Sequence, residues 1–422
     1  MTDADPDFFG DPGVVQDPTT YFNRMRSQCP VMQETHHHSV MVTGYDEVTN
    51  VLGRKDGTFS NCVSVAGPIP ALPFKAQGDD IREQLDAHRA ELPWSAHLVC
   101  FDGEKHAAHR ALVNALLTYT RLRQNEEYLR DLADRMIDRF IDRGRCNVVP
   151  DFAHATTTYA ISDLMGIPEE HRAELLELIG SPPTSIEGDP AHKIGPDPLV
   201  FLEQRFVNYI RERRERPGTD LMSELASSRF RDGSIPDTAE LARLARFLFG
   251  AGQDTTSRLI AMAILILAEN PELQQRLRNE RHRIADFLEE VLRYDGPVKV
   301  VFRLAVTSTT IGEVKVPAGT VVTVGLLGAN HDPKHFEQPE EFNIDRPRLR
   351  DNMSFSRGAH ACPGAPLARM EARIAIDRLL ERLADIRLSE RHHGPADARR
   401  YRFEPTYSFR SLSDLHIEFT RA

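Results

Sequence analysis

The sequence has no cysteine framework. Its five cysteines, Cys29, Cys62, Cys100, Cys146 and Cys362, are scattered over 422 residues without a CxxC pair. That spacing argues against a zinc ribbon and a disulfide-stapled extracellular domain, and an odd, unpaired number suits a reducing cytoplasm. An excess of basic residues is missing too. With 52 Lys and Arg against 63 Asp and Glu, the net charge is −11, which disfavours a general nucleic-acid binder. No apolar run is long enough to span a bilayer, and the acidic start Met1-Thr2-Asp3-Ala4-Asp5 lacks the layout of a signal peptide. No glycine-rich dinucleotide motif follows a strand, and no cysteine cluster could hold an iron–sulfur centre. Internal repeats and low-complexity tracts are absent as well. These absences leave a soluble cytoplasmic chain, large enough for a sizeable core and more than one lobe.

The informative feature lies near the C-terminus, in Phe355-Ser356-Arg357-Gly358-Ala359-His360-Ala361-Cys362-Pro363-Gly364. It sets a cysteine between Gly/Pro-rich turns, just before a helical pattern. Backbone N–H groups and the positive end of a helix stabilise a thiolate and lower its pKa. Glycine lets the backbone approach a bulky planar partner, and Arg357 and His360 supply cations beside the sulfur. The set suits a thiolate on haem iron, with cations for the haem propionates. A match of ten residues leaves an inert buried cysteine open.

Helical periodicity predicts helices over 104–118, 121–143, 151–165, 169–179, 199–215, 238–269, 271–279, 283–294 and 365–384. Strand signals fall at 301–306, 309–316, 320–326 and near 400–419, with a further strand-like run from Ser39 ending in a turn. His36-His37-His38 reads as a solvated hairpin turn rather than a metal site. Residues 60–100 are irregular, and Gly67–Phe74, with its prolines, cannot be a regular helix. Inside the long helix at 238–269, Ala251-Gly252-Gln253-Asp254-Thr255-Thr256 places poor helix formers in an apolar stretch. The Thr255 hydroxyl can bond back to the Ala251 carbonyl, and Gly252 leaves room for a ligand. Glu290 and Arg293 share one helix face, with Pro297 after them and Arg346 later. His106 and Arg110 share another face, one turn apart.

In these motifs, taken in order, the chain resembles the soluble bacterial cytochrome P-450 haem-thiolate monooxygenases. The family pattern Phe-Gly-x-Gly-x-His-x-Cys-x-Gly is met at Phe355, Gly358, His360, Cys362 and Gly364. It is broken at Ser356, where glycine is usual; a serine there implies a turn with negative φ or a strained one. The resemblance implies a mainly α fold with small β-sheets (α+β), a helix-rich lobe beside a smaller sheet-containing lobe, and haem b between helices I and L. It covers nearly the whole chain, so residues 1–422 are expected to form one P-450 domain without a fused reductase. It further implies that Cys362 is the axial ligand and that His106, Arg110, Arg303 and His360 serve the propionates. Thr255 would hydrogen-bond dioxygen, and Asp254 would feed a proton relay through water. Glu290, Arg293 and Arg346 would be structural, fixing the loop that presents the cysteine. His109 has no role in this reading.

Such an enzyme inserts one atom of O2 into a small hydrophobic substrate. Its electrons come from a ferredoxin and an NAD(P)H-dependent ferredoxin reductase. Other reactions on the same scaffold, oxidative coupling or a peroxide-driven oxidation, are the alternative; a non-catalytic haem sensor is a third. Pocket walls are expected from the 60–100 loop, the 178–198 connection that resembles the F–G lid, Phe247, Leu248 and Ala251, Val298–Phe302, and Tyr407-Ser408-Phe409. Lys299, beside that wall, is expected to snorkel outward to water. Arg110, Arg357 and Arg369 are expected to form a basic patch that steers an acidic ferredoxin.

Overall fold

The computed structural model describes residues 6–179 and 202–422. After a helix over Pro18–Gln28 come α1 (Tyr45–Gly53), α2 (Gly103–Leu116), α3 (Glu126–Asp138), α4 (Ala155–Leu164), α5 (Glu169–Ile179), α6 (Glu203–Glu215), α7 (Thr238–Glu269), α8 (Pro271–Asn279), α9 (Ile284–Asp295) and α10 (Ala365–Arg382), with shorter helical segments besides. The strands are β1 (Val31–Gln33), β2 (Val40–Val42), β3 (Phe59–Ser60), β4 (Arg145–Asn147), β5 (Val300–Ala305), β6 (Thr309–Ile311), β7 (Val314–Val316), β8 (Val321–Gly325), β9 (Leu383–Leu388) and β10 (His416–Arg421). They build a five-stranded sheet in the order β1-β2-β8-β5-β3, a three-stranded sheet β4-β10-β9 and the hairpin β6-β7. Only β2 and β8 in the large sheet run parallel.

Local chemistry sets the main boundaries. The Asp237 carboxylate accepts the Ala239 N–H at 2.9 Å and starts α7. Nineteen of the 32 residues of α7 are buried, because α3, α4, α9 and α10 surround its C-terminal half. A second apolar cluster joins its N-terminal half to α2, α4, α5 and α6. Two more clusters cover the faces of the large sheet. The chain is thus a helical lobe with α7 at its centre beside a smaller sheet lobe, the α+β class expected.

Several elements depart from the sequence reading. The single helix expected over 121–143 is two, Tyr119–Gln124 and α3, parted at Asn125 and followed by a 3₁₀ turn over Ile141–Arg143. Asparagine is a weak helix former, and the Asn125 N–H bonds the Arg121 and Leu122 carbonyls instead. The helix from 151 begins as a π-helical turn, Val149–His154. The run after Ser39 is a strand for only three residues before α1 takes over at Tyr45. Near 400–419 only β10 forms, with an isolated Phe403–Leu412 bridge before it. The His36–His38 segment is the turn between β1 and β2, with Glu34 accepting the His36 and His37 N–H groups. The connection expected from Gly180 to Pro198 lies outside the described residues, as does the start of the helix expected from 199.

Candidate active site

The cysteine loop is held from both ends. Gly364 and Pro366 open α10, and the Cys362 N–H donates to the Phe355 carbonyl at 2.9 Å. Phe355 packs on the main core and lies 4.4 Å below the Arg369 guanidinium. Gly358 has φ +74, and a Cβ there would sit 2.1 Å from the Leu52 carbonyl oxygen at the end of α1. Only glycine fits that approach. The N–H groups of Gly364 and Ala365 point at the sulfur, as a thiolate nest requires. Even so, burial pushes the Cys362 thiol up, and it outweighs those N–H groups and the Arg110 and Arg369 charges. A metal cation at the sulfur would work in the opposite direction and favour the thiolate.

Ser356 takes the strained alternative. Its φ is +57, its N–H bonds the Met353 carbonyl at 2.7 Å, and its buried hydroxyl has no partner. Ser356→Gly is expected to stabilise the protein by about 1 kcal/mol, because it removes left-handed strain and an orphaned hydroxyl. A denaturant midpoint for the variant no higher than that of the parent would contradict this.

Four basic side chains gather beside this loop from three elements. His106 and Arg110 come from α2, Arg303 from β5, and His360 from the turn before the cysteine. The His106 and His360 rings stack with centroids 3.7 Å apart. Arg110 donates to the Ala361 carbonyl and, through Nε, to Asn114 at 3.0 Å. Arg303 is 5% exposed and donates to its own neighbour's carbonyl, that of Phe302, at 2.8 Å. Among the described residues none of the four makes an ion pair. His106 Nε2 is buried without a hydrogen-bond partner.

The energetics register this crowding of like charge. Burial, then the His106, Arg303 and Arg110 charges, holds His360 down at about 2. Burial brings Arg303 down to about 10, and lowers His106 and Arg110 as well. Buried cations without counter-charges are costly. A ligand carrying two carboxylates meets this need, so the residues fit haem.

Other expected residues behave differently. Arg357 points away, donating to the Tyr45 hydroxyl at 2.7 Å and the Asp351 carbonyl at 3.0 Å. Arg369 is paired with Glu289 at 2.5 Å, so of the basic patch expected from Arg110, Arg357 and Arg369 only Arg110 is left beside the cysteine. His109 bridges the Lys105 carbonyl and Glu240 of α7, both at 2.7 Å, and so ties α2 to α7. Lys299 does not snorkel outward: it is 1% exposed and donates to the Thr406 carbonyl at 2.7 Å.

On α7 the Thr255 hydroxyl donates to the Ala251 carbonyl at 2.9 Å, as the sequence implies. Gly252 has a plainer role than expected, since a Cβ there would meet Ile161 of α4 at an ordinary 3.5 Å. Asp254 is bound by Arg258, one turn on, at 2.9 Å. Arg258 in turn reaches Glu404 at 2.8 Å and lies 5.1 Å over the Phe409 ring. The i,i+4 spacing of Asp254 and Arg258 was a usable sequence signal; nothing local pointed to Glu404.

The Glu290–Arg293–Arg346 group is assembled as expected. Arg293 and Glu290, both 0% exposed, form a bidentate pair at 2.8 Å, and Arg346 joins at 3.3 Å. Arg293 also donates to the carbonyls of Asn330, Pro339 and Glu341, and Glu290 accepts the Asn343 N–H at 2.9 Å. The buried pair thus clamps the segment that leads to the cysteine loop.

Comparison with known proteins agrees with this geometry. The family model for cytochrome P450 matches residues 199–385. Cytochrome P450 144 of Mycobacterium tuberculosis is 30% identical over 391 residues, covering 91% of this chain and 86% of that protein. The solved structure of substrate-free CYP150A6 from Mycobacterium marinum superposes with a TM-score of 0.92 at 44% identity, covering 99% of both chains. CYP109E1 of Bacillus megaterium, solved in complex with corticosterone, gives 0.78 at 26% identity, covering 96% of this chain and 99% of that one. A cysteine loop at the head of α10, unpaired cations on three converging elements and likeness along nearly the whole chain lead to one conclusion: the chain belongs to the cytochrome P450 family of haem-thiolate monooxygenases.

Proposed function

We propose that residues 1–422 work as one P450 unit that hydroxylates or epoxidises a small hydrophobic substrate. A ferredoxin and an NAD(P)H-dependent ferredoxin reductase in the cytoplasm supply the electrons. The observation that carries this reading is the gathering of His106, Arg110, Arg303 and His360, without an ion pair among the described residues, beside Cys362. In this assignment Cys362 ligates the iron, and the two guanidiniums and two imidazoles hold the propionates. Phe355, Gly358 and Gly364 shape the loop. Haem supplies, when bound, the activation of dioxygen for insertion into a C–H or C=C bond.

The second oxygen atom leaves as water, so protons must reach the site on time. Thr255 presents a hydroxyl whose own proton is held by the Ala251 carbonyl, which leaves its oxygen lone pairs to orient water. Asp254, held by Arg258, is the acid next in line. An apolar substrate fits the turn Tyr407-Ser408-Phe409 and Val298–Phe302, whose backbones meet in the Val298–Phe409 bridge. No helix among the described residues is long and apolar enough to cross a membrane, and we place the chain in the cytoplasm.

The deciding experiment is turnover with ferredoxin, reductase and NAD(P)H on a panel of apolar compounds, chosen by displacement of iron-bound water. No oxygenated product from any tight binder would refute the proposal. Thr255→Ala is expected to leave haem binding intact and to lower product formed per NAD(P)H consumed several-fold. Unchanged coupling would remove Thr255 from proton delivery.

A further inference from the structure

A second cavity lies against the C-terminal half of α7. Its volume is about 480 Å³, within the range of small-molecule sites. The floor is apolar, formed by Met262, Leu265 and Ile266, one face of α7 at helical spacing. Phe403 and Tyr401 form a wall. The charged groups at its edge are Glu269, Asp295, Arg399, Arg400 and Arg410. Asp295 is taken by Arg410 at 2.9 Å, and Glu269 accepts the Tyr401 hydroxyl. Arg399 donates only to the Gly394 carbonyl, and the exposed Arg400 side chain has no partner among the described residues. The rim thus carries three guanidiniums against two carboxylates over an apolar floor, and among the described residues neither Arg399 nor Arg400 makes an ion pair.

From this arrangement we propose that the cavity is a binding site for a small amphipathic carboxylate, its chain on Met262, Leu265 and Ile266 and its headgroup at Arg399 and Arg400. Guanidinium groups pair with carboxylates in a planar, two-point geometry, which selects this headgroup over an alcohol. The apolar chain gains burial against side chains that already face the cavity. The site has a structural route to the rest of the molecule. Phe403 pairs with Leu412, and its neighbour Glu404 holds Arg258 of α7. A bound ligand braces the Phe403–Leu412 bridge, between whose two residues Tyr407–Phe409 lie. The site does not depend on the monooxygenase reading.

The test uses holoprotein whose iron is capped with 4-phenylimidazole, titrated calorimetrically with decanoate and, separately, with 1-decanol. One saturable decanoate equivalent is expected, bound more tightly than decanol. Its affinity should fall roughly tenfold in the double charge reversal Arg399→Glu/Arg400→Glu. The CO spectrum of that variant, measured first, reports that the haem site is intact. Absence of saturable decanoate binding would overturn the proposal, as would equal affinity for decanol or unchanged affinity in the double variant.

Discussion

Cys362→Ala is expected to abolish the strongly red-shifted Soret band of the reduced, CO-bound protein and to bring oxygenation to background. The reason lies in how differently the five thiols are housed. Burial pushes Cys62 up to about 11 and Cys100 up to about 12, and it raises Cys146 as well. Cys29 donates its thiol to the Val31 carbonyl at 2.9 Å. Cys362 differs: the residue has open surface although its sulfur lies deep enough for desolvation to raise the thiol, and two backbone N–H groups point at that sulfur. The four basic side chains do not depend on the sulfur, so the alanine variant should retain some porphyrin. That separates loss of the ligand from loss of the site. Persistence of the red-shifted band in the variant would mean that another side chain grips the iron.

Glu290→Ala should be nearly as damaging, through stability rather than chemistry. Arg293 would keep its three carbonyl partners but lose the carboxylate that neutralises it, and Arg346 would lose its share. Stranding a buried charge costs about 3–5 kcal/mol, a large part of a typical folding margin of about 5–15 kcal/mol. We expect little holoprotein from Glu290→Ala and a distinctly lower unfolding midpoint for what is recovered. Arg346→Lys, at the less buried end of the group, should lose less. The measurement is haem content per chain together with the denaturant midpoint. A midpoint within about 1 kcal/mol of the parent would show that the pair does not clamp the loop.

Much of this was legible in the sequence, and the limits have physical causes. Helix α7 could be read to within a residue because a carboxylate cap, a long apolar period and the Asn270-Pro271 stop agree. The cysteine loop was legible because its glycines answer to backbone geometry. β9 was not: the helix expected over 365–384 overran its end at Arg382 by two residues, and Leu383–Leu388, which carried no strand signal, becomes a strand by pairing with the distant β10. Helix α1 was missed, although Asp46 and Glu47 in its first turn were a readable N-terminal signal. Lys299 defeated the usual expectation for a lysine because its acceptor, the Thr406 carbonyl, comes from a segment more than a hundred residues away. Glu404 was invisible for the same reason. Contacts made by the fold, rather than by neighbours in the chain, are where reading from sequence stops.

The bond from Arg258 to Glu404 has a practical consequence for anyone recombining this protein with its relatives. A crossover placed anywhere between positions 258 and 404 would draw the guanidinium from one parent and its carboxylate from the other. A hybrid that keeps Glu404 but lacks Arg258 would hold a buried, unmatched carboxylate beside the Phe403–Leu412 bridge. Segment-shuffled libraries should therefore inherit both positions together, treating two stretches far apart in the chain as a single block.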